Sequence, residues 1–180
     1  MKRSPLPRRR PAGFSLTESM AALAVSLVAL GSAVPGFETA RERRQLEGVA
    51  AQLETDLQLA RSEAVALNRT VRIAFDADAA GACYIVHTGG AQQCRCGASG
   101  PECAADVAVL RHVRVAAAGG VTLSANVRSM VFAPLEGTVT PTATMRVAGG
   151  NGREIRQIIN IMGRVRSCSP GARVGGLPAC

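Results

Sequence analysis

An apolar run near the N-terminus constrains this chain of 180 residues more than any other feature. It extends over the 21 residues Phe14–Val34 and stops at Pro35-Gly36. A helix of that length can cross the hydrocarbon core of a bilayer. Five basic residues and no acid occur in the first ten positions, which predicts a cytoplasmic leader and an exported remainder. A cleaved secretory signal is the alternative, because Gly31-Ser32-Ala33 offers a small-residue cleavage site.

An acidic residue inside the run favours a retained helix. Glu18 would be costly in lipid, so a partner or role is expected for it. The segment Gly13-Phe14-Ser15-Leu16-Thr17-Glu18 resembles the type IV prepilin signature. That resemblance implies cleavage by a prepilin peptidase between Gly13 and Phe14 and N-methylation at Phe14. The Glu18 carboxylate would then pair with the N-terminal amine of a neighbouring subunit during assembly.

The pattern beyond Pro35 predicts a second helical segment and then strands. Apolar residues recur at three- and four-residue steps from Leu46 to Leu67, whereas β-branched residues begin to alternate after Asn68. The charged face of the helix comprises Arg41, Glu42, Arg43, Arg44, Glu47, Glu54 and Asp56. The predicted strands are Val71–Phe75, Cys83–Val86, Val109–Val115, Val121–Leu123, Val127–Phe132, Thr144–Val147 and Ile155–Ile161.

These patterns predict an α+β fold in which one long N-terminal helix packs on an antiparallel β-sheet or β-sandwich head. The predicted parts are a leader (residues 1–13), a transmembrane and assembly helix (14–36), an amphipathic helix (37–68), and a β-rich head (69–180) with disulfide-stapled loops and a basic C-terminal segment.

Two segments extend the resemblance to a family. The helix end Leu57–Arg69, which contains Ala60-Arg61-Ser62-Glu63-Ala64 and leads into Val71-Arg72-Ile73, resembles the FimT/GspH family of type IV minor pilins and pseudopilins. Gly163-Arg164-Val165-Arg166 resembles the Gly-Arg-x-Arg motif of the FimT type, which implies binding of extracellular DNA during natural transformation. Arg61 and Glu63 are interpreted as solvated, and residues 76–126 match no part of the family pattern.

The charge distribution also favours an anionic partner. Residues 35–106 hold seven Arg and ten Asp or Glu, whereas residues 107–180 hold nine Arg and two Glu. On an extended strand Arg164 and Arg166 would share one face about 7 Å apart, near the spacing of successive phosphates, and Gly163 would let the backbone turn before them. The residues predicted to bind DNA are Gly163, Arg164, Arg166, Arg173, Arg156 and Arg153.

This DNA contact is predicted to be sequence-independent, because the basic segment shows no aromatic platform for bases. Guanidinium groups suit phosphate because their planar fork donates two hydrogen bonds and stays charged. The alternative is that these arginines only solvate an exposed strand.

Six cysteines in an exported chain predict disulfides. Cys168–Cys180 is the firmest predicted pair because it encloses the terminal segment. Cys83, Cys94, Cys96 and Cys103 leave three pairings open, and the close spacing of Cys94 and Cys96 disfavours a bond between these two. The Cys94-x-Cys96 spacing and the separated His87 and His112 do not form a zinc motif, so no metal is predicted.

We expect no enzymatic activity and no cofactor, since neither histidine sits in a catalytic motif and Lys2 is the only lysine. The predicted protein is a single-pass protein of the bacterial inner membrane with a periplasmic head. It assembles with other major and minor pilins into an extracellular pilus or a periplasmic pseudopilus. The predicted function is a minor type IV pilin that binds DNA for uptake. The alternative is a structural minor pilin, or a type II secretion pseudopilin, that initiates or caps a filament without binding DNA.

Overall fold

The structure, a computed structural model, describes residues 15–97, 99–171, 174 and 176–180, apart from the side chains of residues 32–35 and 151. The described chain begins with a helix of 51 residues, α1 (Leu16–Ala66). The chain divides into two compact units between Thr39 and Ala40. In the first unit the described apolar side chains of α1 are exposed, and the helix is long and apolar over this part. By length and composition this helix can cross a membrane.

In the second unit, α1 buries one stripe of small and branched side chains. The buried residues of this stripe are Leu46, Ala50, Leu53, Leu57, Ala60 and Ala64. They follow the predicted three- and four-residue steps, because that spacing places them on one side of a helix. The helix ends in a left-handed turn at Asn68, where φ is 48°. The amides of Asn68 and Arg69 donate to the carbonyls of Val65 and Ala64, which caps the last turn.

Short antiparallel strands follow the helix and form two sheets and a hairpin. The strands are β1 (Val71–Asp78), β2 (Gly81–His87), β3 (Cys94–Cys96), β4 (Pro101–Cys103), β5 (Val109–Ala116), β6 (Thr122–Ala125), β7 (Ser129–Phe132), β8 (Val139–Thr140), β9 (Ala143–Ala148), β10 (Glu154–Ile159) and β11 (Val165–Cys168). The first sheet has the order β5-β2-β1-β7-β8, and the second has the order β11-β10-β9-β6. Strands β3 and β4 pair with each other. The predicted α+β fold is confirmed.

The two sheets share one hydrophobic core with α1. The first sheet contributes residues such as Ile73 and Tyr84, and the second contributes residues such as Met145 and Ile159. Polar contacts also join the sheets to the helix. The Gln157 side-chain amide donates to the Ala50 carbonyl at 2.6 Å, and the amide is fully buried. These contacts fix which face of the second sheet is left for solvent.

Asp56 differs from its predicted position on the charged face of the helix. Its carboxylate is buried and accepts a hydrogen bond from the Tyr84 hydroxyl. Gln52 donates to both carboxylate oxygens, and the Arg111 guanidinium lies 3.4 Å away. The prediction was wrong because an isolated helix pattern cannot show which buried partners satisfy a carboxylate.

Disulfides fasten the β3–β4 hairpin and the C-terminus. Cys94 and Cys103 face each other across the hairpin and are bonded, and Cys83–Cys96 ties the hairpin to β2. This is one of the three pairings that the sequence left open. Cys168–Cys180 joins the end of β11 to the last residue of the chain. The hairpin lies within residues 76–126, which the family pattern did not describe.

Candidate nucleic-acid interface

A tight turn between β10 and β11 positions the Gly-Arg-x-Arg segment. Gly163 has a φ of +71°, in the region that favours glycine, and its amide donates to the Asn160 carbonyl at 2.9 Å. The Asn160 side-chain oxygen accepts a hydrogen bond from the Arg164 amide, also at 2.9 Å. The turn therefore directs the chain into β11 immediately after Arg164.

Alternation along β11 then places Arg166 on the side of the sheet that faces away from the helix. Val165 and Ser167 are half-buried, and the Ser167 hydroxyl donates to the Glu54 carboxylate on α1. Arg164 and Arg166 occupy the intervening positions and are exposed. Neither guanidinium has an ion pair with another residue in the part of the chain that is described.

Strand register adds two more arginines to the same face. Arg166 pairs with Ile158 on β10, and Arg156 lies two residues before Ile158. Arg156 is therefore a diagonal neighbour of Arg166, at a separation of roughly 7–8 Å. Arg146 on β9 lies directly opposite Arg156. We refer to Arg146, Arg156, Arg164 and Arg166 on the solvent side of the second sheet as the arginine face.

One carboxylate partly neutralises the arginine face. Glu154 lies two residues before Arg156 on β10 and pairs with its guanidinium at 2.5 Å. It also approaches the Arg146 guanidinium at 4.0 Å. The arginine face thus carries four guanidinium groups and one carboxylate, so it retains a positive charge that can attract an anionic polymer.

The sequence of the chain also matches a known protein family. A family model described as type II transport protein GspH matches residues 49–163, more than half of the chain. The chain belongs to the GspH family. Membership confirms the predicted assignment to the FimT/GspH family of minor pilins and pseudopilins. The match ends at Gly163, so Arg164 and Arg166 of this GspH-family chain lie just beyond the residues that the family model matches.

Two solved structures of the type IV minor pilin FimU from Pseudomonas aeruginosa PAO1 are similar to the GspH-family chain. The crystal form in space group P21 is 26% identical, with a TM-score of 0.49, and covers 69% of this chain and 89% of FimU. The P65 form is 22% identical, with the same TM-score, and covers 67% and 90%. No curated protein matches the chain in sequence.

Arg153 was also predicted to bind DNA in the GspH-family chain. Arg153 follows the 3-10 turn Gly150–Gly152, at the opposite end of β10 from Arg164. A six-residue strand spans about 20 Å, so Arg153 is far from Arg164 and is closer to Arg156, three residues along the chain. Arg173, Gly13 and Phe14 fall outside the described residues.

Glu18 lies in the first turn of α1 and is exposed. This position leaves its carboxylate accessible to another chain. The predicted assembly role of Glu18 stays a prediction.

One group of possible metal ligands occurs in the described ranges. The side chains of Cys83, Cys96 and His112 place one ligand atom each within 4.8 Å of one another. However, the two sulfurs form a disulfide and so cannot act as thiolate ligands. We therefore assign no metal role to this group.

Arg146 is the residue of the arginine face that sequence reasoning missed. Its signal was present in the predicted strand Thr144–Val147, because Met145 and Val147 are buried and the residue between them must face outward. The sequence could not show that Arg146 on β9 lies opposite Arg156 on the neighbouring strand β10.

Proposed function

We propose that this GspH-family chain is a minor type IV pilin whose arginine face binds extracellular DNA during natural transformation. The observation that carries the proposal is the placement of two exposed arginines, Arg164 immediately before β11 and Arg166 within it, beside Arg156 and Arg146. In this role the chain is a binding and structural subunit rather than an enzyme.

The chemistry of the arginine face suits a phosphate backbone. Each guanidinium can donate two parallel hydrogen bonds to phosphate oxygens. The face offers no aromatic side chain on which a base could stack, because its neutral members are residues such as Ile158 and Thr144. Binding is therefore sequence-independent, and it weakens steeply with salt because each neutralised phosphate releases counterions.

Assembly is a separate part of the same proposal. A prepilin peptidase would cut between Gly13 and Phe14 and methylate Phe14, and Glu18 would pair with the N-terminus of a neighbouring pilin. The exposed apolar surface of α1 before Thr39 supports insertion into the inner membrane and packing against other pilin helices. The head would then lie in the periplasm or on an extracellular pilus.

A structural role without DNA is the second candidate. It is favoured by the extent of the family match, which covers the helix stripe from Ala50 onward and the strands before β11 but ends before Arg164. A pseudopilin that initiates or caps a type II secretion filament would need the fold and the helix, but not the exposed Arg164 and Arg166.

The test is DNA binding by the full chain in a nonionic detergent. Fluorescence anisotropy of a labelled duplex would be measured over a series of salt concentrations, for the unaltered chain and for Arg164→Gln/Arg166→Gln. We expect the double variant to lose about tenfold or more in affinity and about two units of the salt slope. The basic leader is common to all variants, so only differences between them are interpreted.

The matched control is Arg41→Gln/Arg44→Gln. Both residues are exposed on α1, and their removal changes the net charge by the same amount. We expect this control to bind within about twofold of the unaltered chain. Equal losses in the two double variants, or no binding by the unaltered chain, would favour the structural candidate.

A further inference from the structure

A groove lies where α1 ends and meets two turns of the head. One turn connects β7 to β8 and includes Leu135, Glu136 and Gly137, and the other is the Gly163–Arg164 turn before β11. The groove has a volume of about 900 Å³ and is lined by side chains that include Arg61 and Arg164. We call it the helix-end groove.

Arg61 crosses the glycines of both turns. A Cβ atom added at Gly137 would lie 2.8 Å from the Arg61 Nε atom, and one added at Gly163 would lie 3.1 Å from it. Both glycines have positive φ values, +61° and +71°, so no ordinary side chain is favoured at either position. Because both turns have glycine at these positions, the aliphatic part of the Arg61 side chain can pack directly against their backbone.

The guanidinium of Arg61 has no acceptor among the residues that the structure describes. Arg61 is half-buried, yet it forms no hydrogen bond or ion pair with any other described residue. Glu136 lines the same groove, but the two groups are not within 4.0 Å of each other. Its guanidinium nitrogens are not among the buried side-chain atoms that lack a partner, so they stay accessible from the groove. An anion that entered the groove could replace water as their acceptor.

Arg164 supplies a second cation to the same groove. It is exposed and has no ion pair in the described chain, and it also belongs to the arginine face. Arg61 and Arg164, which belong to different elements, therefore line one concave surface. Apolar surface from Val65 and Leu135, which are 50% and 86% exposed, borders the groove and suits a sugar ring.

We propose that the helix-end groove is a phosphate-binding site in which Arg61 and Arg164 together hold one phosphate of a nucleic-acid backbone. This inference rests on the proposed function and extends it. The bound strand would follow Arg166 and Arg164 along the arginine face and continue around the Gly163 turn to the end of α1. Arg61 would then be a phosphate-binding residue on α1, within the residues that the family model matches, and not part of the C-terminal Gly-Arg-x-Arg motif.

The first test compares Arg61→Gln with Arg69→Gln in the duplex-binding measurement on the full chain. Arg69 is an exposed arginine just after α1, and its loss changes the net charge equally, but it does not line the groove. We expect Arg61→Gln to reduce affinity about fivefold and the salt slope by about one, with less than about a twofold effect for Arg69→Gln. Equal effects of the two variants would overturn the inference.

A second test displaces Arg61 without changing any charge. Gly137→Ala places a Cβ where the Arg61 side chain passes, whereas Gly120→Ala, at a φ of +71°, meets nothing within 4 Å. Both variants carry the strain of a left-handed alanine, so thermal unfolding should show similar destabilisation. We expect only Gly137→Ala to weaken DNA binding, and unchanged binding in a folded Gly137→Ala chain would count against the site.

A third arm separates nucleic acid from free phosphate. Inorganic phosphate would be titrated into the chain at constant ionic strength, and arginine resonances would be followed by NMR. Saturable phosphate binding that depends on Arg61, together with unchanged DNA affinity in Arg61→Gln, would assign the groove to a free anion and overturn the proposal. If Arg164→Gln/Arg166→Gln alone loses DNA binding, the proposed function stands and the groove inference fails.

Discussion

The Tyr84 hydroxyl donates a hydrogen bond to the Asp56 carboxylate, with 2.6 Å between the two oxygens. Both side chains are almost completely buried, and they join α1 to β2. Gln52 supplies two further contacts to the carboxylate, and Arg111 approaches it from β5. The most buried acid of the head is thus satisfied by neighbours from three elements, which makes it sensitive to the loss of any donor.

Replacement of Tyr84 with Phe should destabilise the head. The substitution keeps the ring in the core but leaves a buried carboxylate without its closest donor, which costs about 1–3 kcal/mol of unfolding free energy. Urea denaturation followed by circular dichroism would measure the loss. Arg111→Gln is the control, because that side chain is 47% exposed and its contact should contribute less than about 1 kcal/mol. A larger loss for Arg111→Gln than for Tyr84→Phe would contradict this ranking.

Alkaline pH should ionise Tyr84 only as the head unfolds. Burial, and then the hydrogen bond and charge of Asp56, raise the pKa of the Tyr84 phenol above its usual value. A raised folded-state pKa means that stability is fully present below about pH 10 and declines as the pH rises further. Tyr84 is the only tyrosine and the chain has no tryptophan, so phenolate absorbance reports this group alone. Phenolate formation near pH 10 with intact β-sheet signal would refute the expectation.

Mild acid should destabilise the outer side of the first sheet through His87. Its ring is buried, its Nδ1 accepts a hydrogen bond from the Gly89 amide at 3.0 Å, and burial together with the charge of Arg72 lowers the His87 pKa. The unfolded chain binds a proton more readily, so stability falls as the pH drops below about 6.5.

This expectation can be measured as the urea midpoint at about pH 7 and about pH 5.5. His87→Asn should reduce the difference between the two midpoints, whereas His112→Asn should keep it. If the pH dependence disappeared in His112→Asn and persisted in His87→Asn, the result would contradict the assignment to His87.

Removal of Glu154 should strengthen DNA binding. Its carboxylate pairs with Arg156 and approaches Arg146, so Glu154→Gln would leave four uncompensated guanidinium groups on the arginine face. Exposed pairs contribute about 0.2–1 kcal/mol, which corresponds to a gain of up to about fivefold in affinity at low salt. Glu47→Gln is the matched control, because it frees Arg43 on α1 and changes the net charge equally. Equal gains in both variants would show that net charge alone is responsible.

Periodicity explains why the helix and the core strands could be predicted. The stripe from Leu46 to Ala64 repeats at helical steps, and strands such as β9 alternate between buried and exposed residues. The hairpin of β3 and β4 could not be predicted, because three-residue strands show no alternation and depend on the disulfides of Cys94 and Cys96. Tertiary partners, rather than local pattern, decide such segments.

The site shows the same division between local and tertiary information. A motif located Arg164 and Arg166, because both belong to one short segment of chain. Arg146 joins them only through strand register, and Arg61 reaches them only because two turns present glycine at the helix end. Arg153 was grouped with them by sequence proximity, but the length of β10 separates it from Arg164.

Strand β11 is the outermost strand on its side of the second sheet, and this position gives its arginine another physical consequence. An edge strand presents unpaired backbone groups that can add to a second sheet, and charged side chains discourage such addition. The charge of Arg166 therefore disfavours the addition of a strand from another chain, whether or not DNA is bound. With an apolar residue in its place, the exposed edge of β11 could pair with other chains and promote aggregation. Glutamine is polar and avoids this effect.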